Sequence, residues 1–113
     1  MLGRLTLKNT KVSIMMEQIF ENNERDCVQM ETVAQLAQEA DKLHVIFEGR
    51  EMIFEVGKTH LCRYPVAGGE LLLRITTHEL EQDESRVSIK YEIADFNGSF
   101  ISENKLKMEL ENL

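Results

Sequence analysis

Cysteine occurs twice in this chain of 113 residues, proline once and tryptophan not at all. Cys27 and Cys62 are too few and too far apart for a disulfide scaffold or a tetrahedral zinc site, so both are expected to be free thiols in a reducing, bacterial-type cytoplasm. No apolar stretch approaches the about 20 residues that a membrane-spanning helix needs. Arg4 and Lys8 interrupt the apolar residues of Met1 to Thr10, which lacks the continuous hydrophobic run of a secretory signal. Positive charge is also short: 13 Lys and Arg stand against 20 Asp and Glu, for a formal charge of -7. Phosphate backbones and anionic lipid surfaces repel such a molecule on average. No basic run with interleaved aromatics offsets this, and Lys105-Leu106-Lys107 alternates as an ordinary strand does. Neither nucleic acid nor a membrane is expected as a partner.

Catalytic signatures are missing as well. There is no G-x-S-x-G elbow, no phosphate-cradling glycine loop and no dinucleotide fingerprint, and Gly68-Gly69 precedes a strand where an anion site wants a helix N-terminus. His44, His60 and His78 lack the short spacing to a second His, Cys or carboxylate that zinc sites in small domains show. Glu79, Glu81, Asp83 and Glu84 fall together in an expected solvated turn, where mutual repulsion explains them better than paired acid and base work. No catalytic residue, metal or cofactor is expected, and an enzyme is the last of the readings.

What is present is the balance of a folded globule: 42% hydrophobic and 29% charged residues, on a length that fits one domain over residues 1–113. Val87, Ile89, Tyr91 and Ile93 alternate with Ser88, Lys90 and Glu92, which puts apolar and polar side chains on opposite faces of a strand. Leu106, Met108 and Leu110 alternate in the same way, and Asn97-Gly98 between the two runs suits a hairpin turn. Upstream, Leu71, Leu73, Ile75 and Thr77 share one strand face, with Leu72 on the other, expected to be covered as well. Val12, Ile14, Met16, Gln18 and Phe20 make a further strand. Residues 43–48 and 51–56 make a short hairpin about Gly49-Arg50, where glycine in the first central position suits a type II′ turn.

Residues 28–40 are ambiguous. Met30, Val33, Ala34 and Ala37 fit the i, i+3, i+4, i+7 stripe of an amphipathic helix, and Gln, Glu and Ala favour it. The strand reading buries Val28, Met30, Thr32, Ala34 and Leu36 and leaves Val33 outside. From this window alone the helix is preferred.

Within this frame, Met52-Ile53-Phe54-Glu55, Gly57-Lys58, His60-Leu61, Tyr64, Gly69, Leu71 and Thr76 resemble the YwiB-like family of calycin-like β-barrel proteins. Val87, Ile89, Tyr91, Ser102-Glu103-Asn104, Leu106 and Met108 continue the match in order and spacing. More loosely, Val12 to Phe20 resembles the family's first strand, and Asp41-Lys42 with Leu43, Val45 and Phe47 its second hairpin. That hairpin needs an extended partner, so the resemblance turns residues 28–38 from helix to strand. It departs from the family in having a short Gly49-Arg50 connection where a further hairpin is usual.

The fold expected is therefore all-β: an antiparallel meander closed into a small calycin-like barrel, or a half-open one, of about eight strands. The alternative is α+β, with a helix at 28–40 packed on an antiparallel sheet. The strands expected are 11–20, 28–38, 43–48, 51–56, 59–64, 70–81, 86–95 and 99–111. Loss of a hairpin either shrinks the cavity or opens the wall. An open wall exposes a sheet edge, which a second copy of the chain can cover.

His60, Cys62 and Tyr64 share one strand face, which fits packing beside a barrel interior better than a nucleophile with its base. The family resemblance implies a small apolar ligand in or beside the barrel, with Phe54, Tyr64 and Tyr91 lining its site and His60 as the polar contact. Competing with this is a non-enzymatic structural or interaction module that acts through a sheet edge, as a homodimer.

Overall fold

The computed structural model describes residues 8–111, so most of the Met1 to Thr10 stretch lies outside the described residues. Alternating apolar and polar positions produce strands β1 (Lys8–Phe20), β2 (Arg25–Glu39), β3 (Lys42–Phe47), β4 (Arg50–Phe54), β5 (Thr59–Val66), β6 (Gly69–Gln82), β7 (Arg86–Asp95) and β8 (Phe100–Glu111). No helix occurs among the described residues. The strands form one antiparallel sheet of eight in the order β4-β3-β2-β1-β8-β7-β6-β5.

Two local meanders, β1 to β4 and β5 to β8, are joined by the ladder of β1 on β8, which runs from Lys11 opposite Glu111 to Phe20 opposite Ser102. The sheet then curls until its margins β4 and β5 meet without a ladder of their own. The connector after β4 closes one end: Val56 bridges to Thr77, the Gly57 N–H donates to the Thr77 carbonyl at 2.9 Å, and the Thr77 N–H donates to the Lys58 carbonyl at 3.3 Å. The result is a nearly closed barrel of the expected calycin-like kind.

Alternation carries the core. Val12 and Ile14 of β1, Val87, Ile89 and Tyr91 of β7, and Leu106 and Met108 of β8 meet Leu43, Val45 and Phe47 of β3 and Met52 and Phe54 of β4 inside. Each such side chain contributes about 1.5–3 kcal/mol when fully buried.

The helical stripe on residues 28–40 does not form. Val33, which a helix would bury, is 54% exposed, while Ala34 is fully buried on the inner face. Local helix preference spans less than about 1 kcal/mol per residue. The continuous ladder to β1, from Lys8 opposite Leu36 to Ile19 opposite Arg25, outweighs it.

Turn chemistry corrects other expectations. Phe47 pairs with Arg50, so the central residues of that hairpin are Glu48 and Gly49, at φ 51° and 75°. Two positive φ values make it type I′ rather than the expected type II′, and that twist matches its flanking strands. The connection after β7 is longer than a two-residue turn: the Gly98 N–H donates to the Asp95 carbonyl, the Asp95 N–H donates to the Ser99 carbonyl, and Gly98 takes φ 91°. Glu79 and Glu81 stand on β6 itself rather than in the turn after it. Leu72, expected to be covered, is 40% exposed, because the β5–β6 hairpin tip lies beyond the body of the barrel.

The short β3–β4 hairpin opens the wall. β3 pairs with β2 only from Gln35 to Glu39, so Arg25 to Ala34 pair with β1 on one side and, among the described residues, with no strand on the other.

Two outcomes test this packing. Phe54→Ala should destabilise the fold by about 3–5 kcal/mol, whereas Val33→Ala should stay within about 1 kcal/mol, both read from urea unfolding.

The second concerns the turn before β7, where Asp83 Oδ1 accepts the N–H groups of Ser85 (2.8 Å) and Arg86 (2.9 Å) and the Ser85 hydroxyl (3.2 Å). These bonds, the Ser85 amide foremost, hold the Asp83 carboxyl below its ordinary value of 3.8. A native pKa below the unfolded one adds stability that is complete above that unfolded value and is lost as pH falls through the native one. The stability difference between the wild type and Asp83→Asn should therefore shrink on acidification across this range. A gap constant with pH would contradict the assignment.

Candidate functional site

The type I′ turn at Glu48-Gly49 places Phe47 and Arg50 directly opposite one another, and the alternation Arg50, Met52, Phe54 carries all three to the inner face. The Arg50 guanidinium lies between two rings, 4.8 Å from the centroid of Phe47 and 4.7 Å from that of Tyr64 on β5. Its side chain is 15% exposed, against 67% for Arg25 and 77% for Arg63. Attraction to the ring faces compensates part of its desolvation. Its Nη2 donates to Glu48 Oε2 at 3.2 Å, and that carboxylate is 52% exposed at the hairpin tip.

Deeper in the barrel, Cys62 and Tyr91 are buried. Burial pushes the Cys62 thiol and the Tyr91 hydroxyl above their usual ranges, and the Arg50 charge pulls each part of the way back. The Phe54 and Tyr91 rings meet edge to face, with centroids 5.0 Å apart. The Tyr91 hydroxyl donates to Met16 Sδ at 3.5 Å, a weak acceptor.

Tyr91 belongs to a polar row across the inner face. It pairs with Thr77 on β6 and with Asn104 on β8, and Asn104 pairs with Gln18 on β1. The Asn104 amide donates to Ser102 Oγ at 3.1 Å, while the buried Thr77 Oγ1 has no hydrogen-bond partner among the described residues. An unpartnered buried hydroxyl costs about 1–3 kcal/mol.

The outer wall holds a different cluster. β6 carries an extra residue at His78, where the pairing passes from Thr77–Tyr91 to Glu79–Lys90. This bulge turns His78 toward Glu92 and Glu103, and donor atoms of the three lie within 4.8 Å of one another. Glu92 and Glu103 oppose each other across β7 and β8, an unfavourable like-charge pair. His78 and Glu103 are exposed and Lys90 and Lys105 lie in the next rank, so solvent and neighbouring cations disperse that charge. Sequence spacing could not reveal this group, because three strands contribute to it.

Residues 48–108 match the family described as a domain of unknown function (DUF1934). The chain belongs to this family. Its fold is similar to the crystal structure of the ywiB protein from Bacillus subtilis, with 16% identity over 94% of this chain and 96% of that one and a TM-score of 0.52. At that identity the likeness is one of fold. No curated protein matches the sequence.

In this DUF1934 chain the four residues expected to line a ligand site divide into three environments. Phe54 and Tyr91 pack against each other in the centre of the core. Tyr64, 37% exposed, lies at the lip of the opening against Arg50. His60 shares the inner face with Cys62, as expected, but its Nε2 is bonded to Glu55 Oε1 at 2.9 Å and it does not join the Arg50 group. Sequence reasoning missed Arg50 and Phe47. The clue was the inward alternation of Arg50 with Met52 and Phe54, hidden because Arg50 was assigned to the turn.

The thiols follow the same division. Cys27 is exposed and Cys62 is buried with a raised pKa. Thiol reagents attack the accessible thiolate. The native protein should therefore release one equivalent of thionitrobenzoate from Ellman's reagent through Cys27, and the second only after unfolding; fast reaction of both thiols in the native state would contradict the burial of Cys62.

Proposed function

We propose that this DUF1934-family chain is a non-enzymatic binding protein that takes one small amphipathic molecule at the open side of its barrel. The apolar part of the ligand lies along the half-buried inner side chains Met16, Val28 and Met30, and its anionic end meets Arg50. The observation that carries this reading is the Arg50 guanidinium, a largely buried cation on an inner face and held by Phe47 and Tyr64. Glu48 engages only one of its nitrogen atoms, through a single bond at the exposed hairpin tip. The planar donor fork suits a carboxylate, and the rings fix its orientation. Thr77 Oγ1 and the Tyr91 hydroxyl add polar atoms inside the same barrel, one without a partner and one with a weak acceptor. The two unpaired thiols support a reducing compartment such as a bacterial cytoplasm as its place of work.

Laurate and lauryl alcohol, which differ in the head group, test the reading. Titration followed by amide and arginine side-chain NMR shifts should show laurate perturbing Arg50 and Tyr64. A charge-assisted hydrogen bond is worth about 1.5–3 kcal/mol, so Arg50→Met should weaken laurate about 10- to 100-fold and leave the alcohol nearly unchanged. Failure of both amphiphiles to shift any inner-face resonance would overturn the proposal. Equal laurate affinity for wild type and Arg50→Met would remove Arg50 from it.

A further inference from the structure

We infer that the chain associates with a second copy of itself through the free edge of β2, antiparallel and with Val28 on the two-fold axis. Half of the backbone groups of β2 are directed away from β1, and over most of the strand no described neighbour claims them. Glu39 and Lys42 close the two-residue turn between β2 and β3, so Glu39 directs its N–H and C=O toward β3, and so do Ala37 and Gln35 in alternation. At the other end of β2 the Phe20 N–H donates to the Glu24 carbonyl at 2.9 Å, which places the even-numbered residues toward β1 and agrees with that phase. Arg25, Cys27, Gln29, Glu31 and Val33 consequently point their backbone groups away from β1, along the stretch that no strand covers.

Two of the usual protections of an edge are absent there, and the charges the stretch carries are Arg25, Asp26 and Glu31. Residues 25–33 contain neither proline nor lysine, whereas the β5 margin carries Pro65 and β4 is five residues long and faces β5. A long, regular edge with unclaimed donors and acceptors is a template for another strand.

Charge selects the occupant and the register. A two-fold axis through Val28 sets Arg25 opposite the partner's Glu31, and Glu31 opposite the partner's Arg25, both on the outer wall. Within its own chain Arg25 reaches Glu17 at a loose 3.9 Å, and Glu31 has no ion pair among the described residues. In this register the Arg25–Glu31 and Cys27–Gln29 positions are hydrogen-bonded pairs, since all four residues point their backbone groups outward. Val28 faces the partner's Val28 on the inner side as a non-hydrogen-bonded pair, where side chains come closest. Moving the axis to Gln29 would put Arg25 against Val33 and Cys27 against Glu31, with no opposite charges facing. A homodimer with a two-fold axis needs this kind of self-complementary patch. The association shares Val28 with the ligand reading but does not rest on that reading, because the unclaimed backbone groups and the outer-wall charges Arg25 and Glu31 carry it with no ligand bound.

Light scattering coupled to size-exclusion chromatography, with no ligand present, measures the state directly. The wild type should run as a dimer at high micromolar concentration. Arg25→Glu should raise the dissociation constant about tenfold or more by placing like charges at both pairs. The double variant Arg25→Glu with Glu31→Arg should restore it. Val28→Cys in a Cys27→Ser background should form an intermolecular disulfide across the axis on mild oxidation. Circular dichroism confirms that each variant keeps its strands. A wild-type monomer at that concentration overturns the inference. So does a dimer that Arg25→Glu leaves intact and Val28→Cys does not crosslink.

Discussion

The ladder between β1 and β8 is the pairing on which the rest of the structure depends. Each four-stranded meander can form from neighbours in sequence, but neither buries its inner face alone. When Val12, Ile14 and Met16 of β1 line up with Leu110, Met108 and Leu106 of β8, the two halves become one sheet whose apolar face curls on itself. The ladder joins the two ends of the chain, so it closes the largest loop in the molecule before the core rewards it. Once it is in place, β3 and β4 are carried over the same interior that β6 and β7 enclose, and Phe54 reaches Tyr91.

The short hairpin between β3 and β4 sets the departure from a closed barrel. With β3 six residues long and β2 fifteen, most of β2 has a neighbour on one side only. The same truncation puts the Glu48-Gly49 turn at the lip of the opening, and the alternation that buries Met52 and Phe54 then drives Arg50 inward as well. A charged residue next to a turn is ordinarily solvated. Here the Phe47 and Tyr64 rings cover it, and little of its side chain reaches bulk water. The free edge and the inward cation thus share one cause, a connection too short to complete the wall.

Polar residues on the inner faces of β6 to β8 make the interior chemically uneven. Ser102 and Asn104 satisfy one another, whereas Thr77 Oγ1 has no partner and Tyr91 uses a thioether. The apolar rank of Met16, Leu106 and Ile89 beside this row supplies the stability that offsets its cost. The bulge at His78 interrupts β6 immediately beyond Thr77, so the inner row and the outer His78–Glu92–Glu103 group are two sides of one irregularity in the ladder.

Strand identity was legible in the sequence because it is local. The period-two alternation of Val87 to Ile93 or of Leu106 to Leu110 states which side chains face inward, whatever the partner strand, and the acidic composition likewise argued against nucleic acid without any fold. Residues 28–40 were not legible in this way, since their helical stripe and their strand face coexist in the same letters and only the ladder to β1 distinguishes them. Turn type at Glu48-Gly49 was missed because the Phe47–Arg50 pairing sets it, and a one-residue slip changes which residues take positive φ. Composition and alternation alone thus determined strands with a defined inner face outside residues 28–40, and the family resemblance, not the local pattern, turned that segment to strand. Tertiary structure decided that Arg50 is an inner residue, that Phe54 and Tyr91 meet edge to face inside the barrel, that His60 bonds to Glu55, and that one edge of β2 has no described strand beside it. Each of these is a relation between residues distant in the chain, which exists only when the sheet has curled.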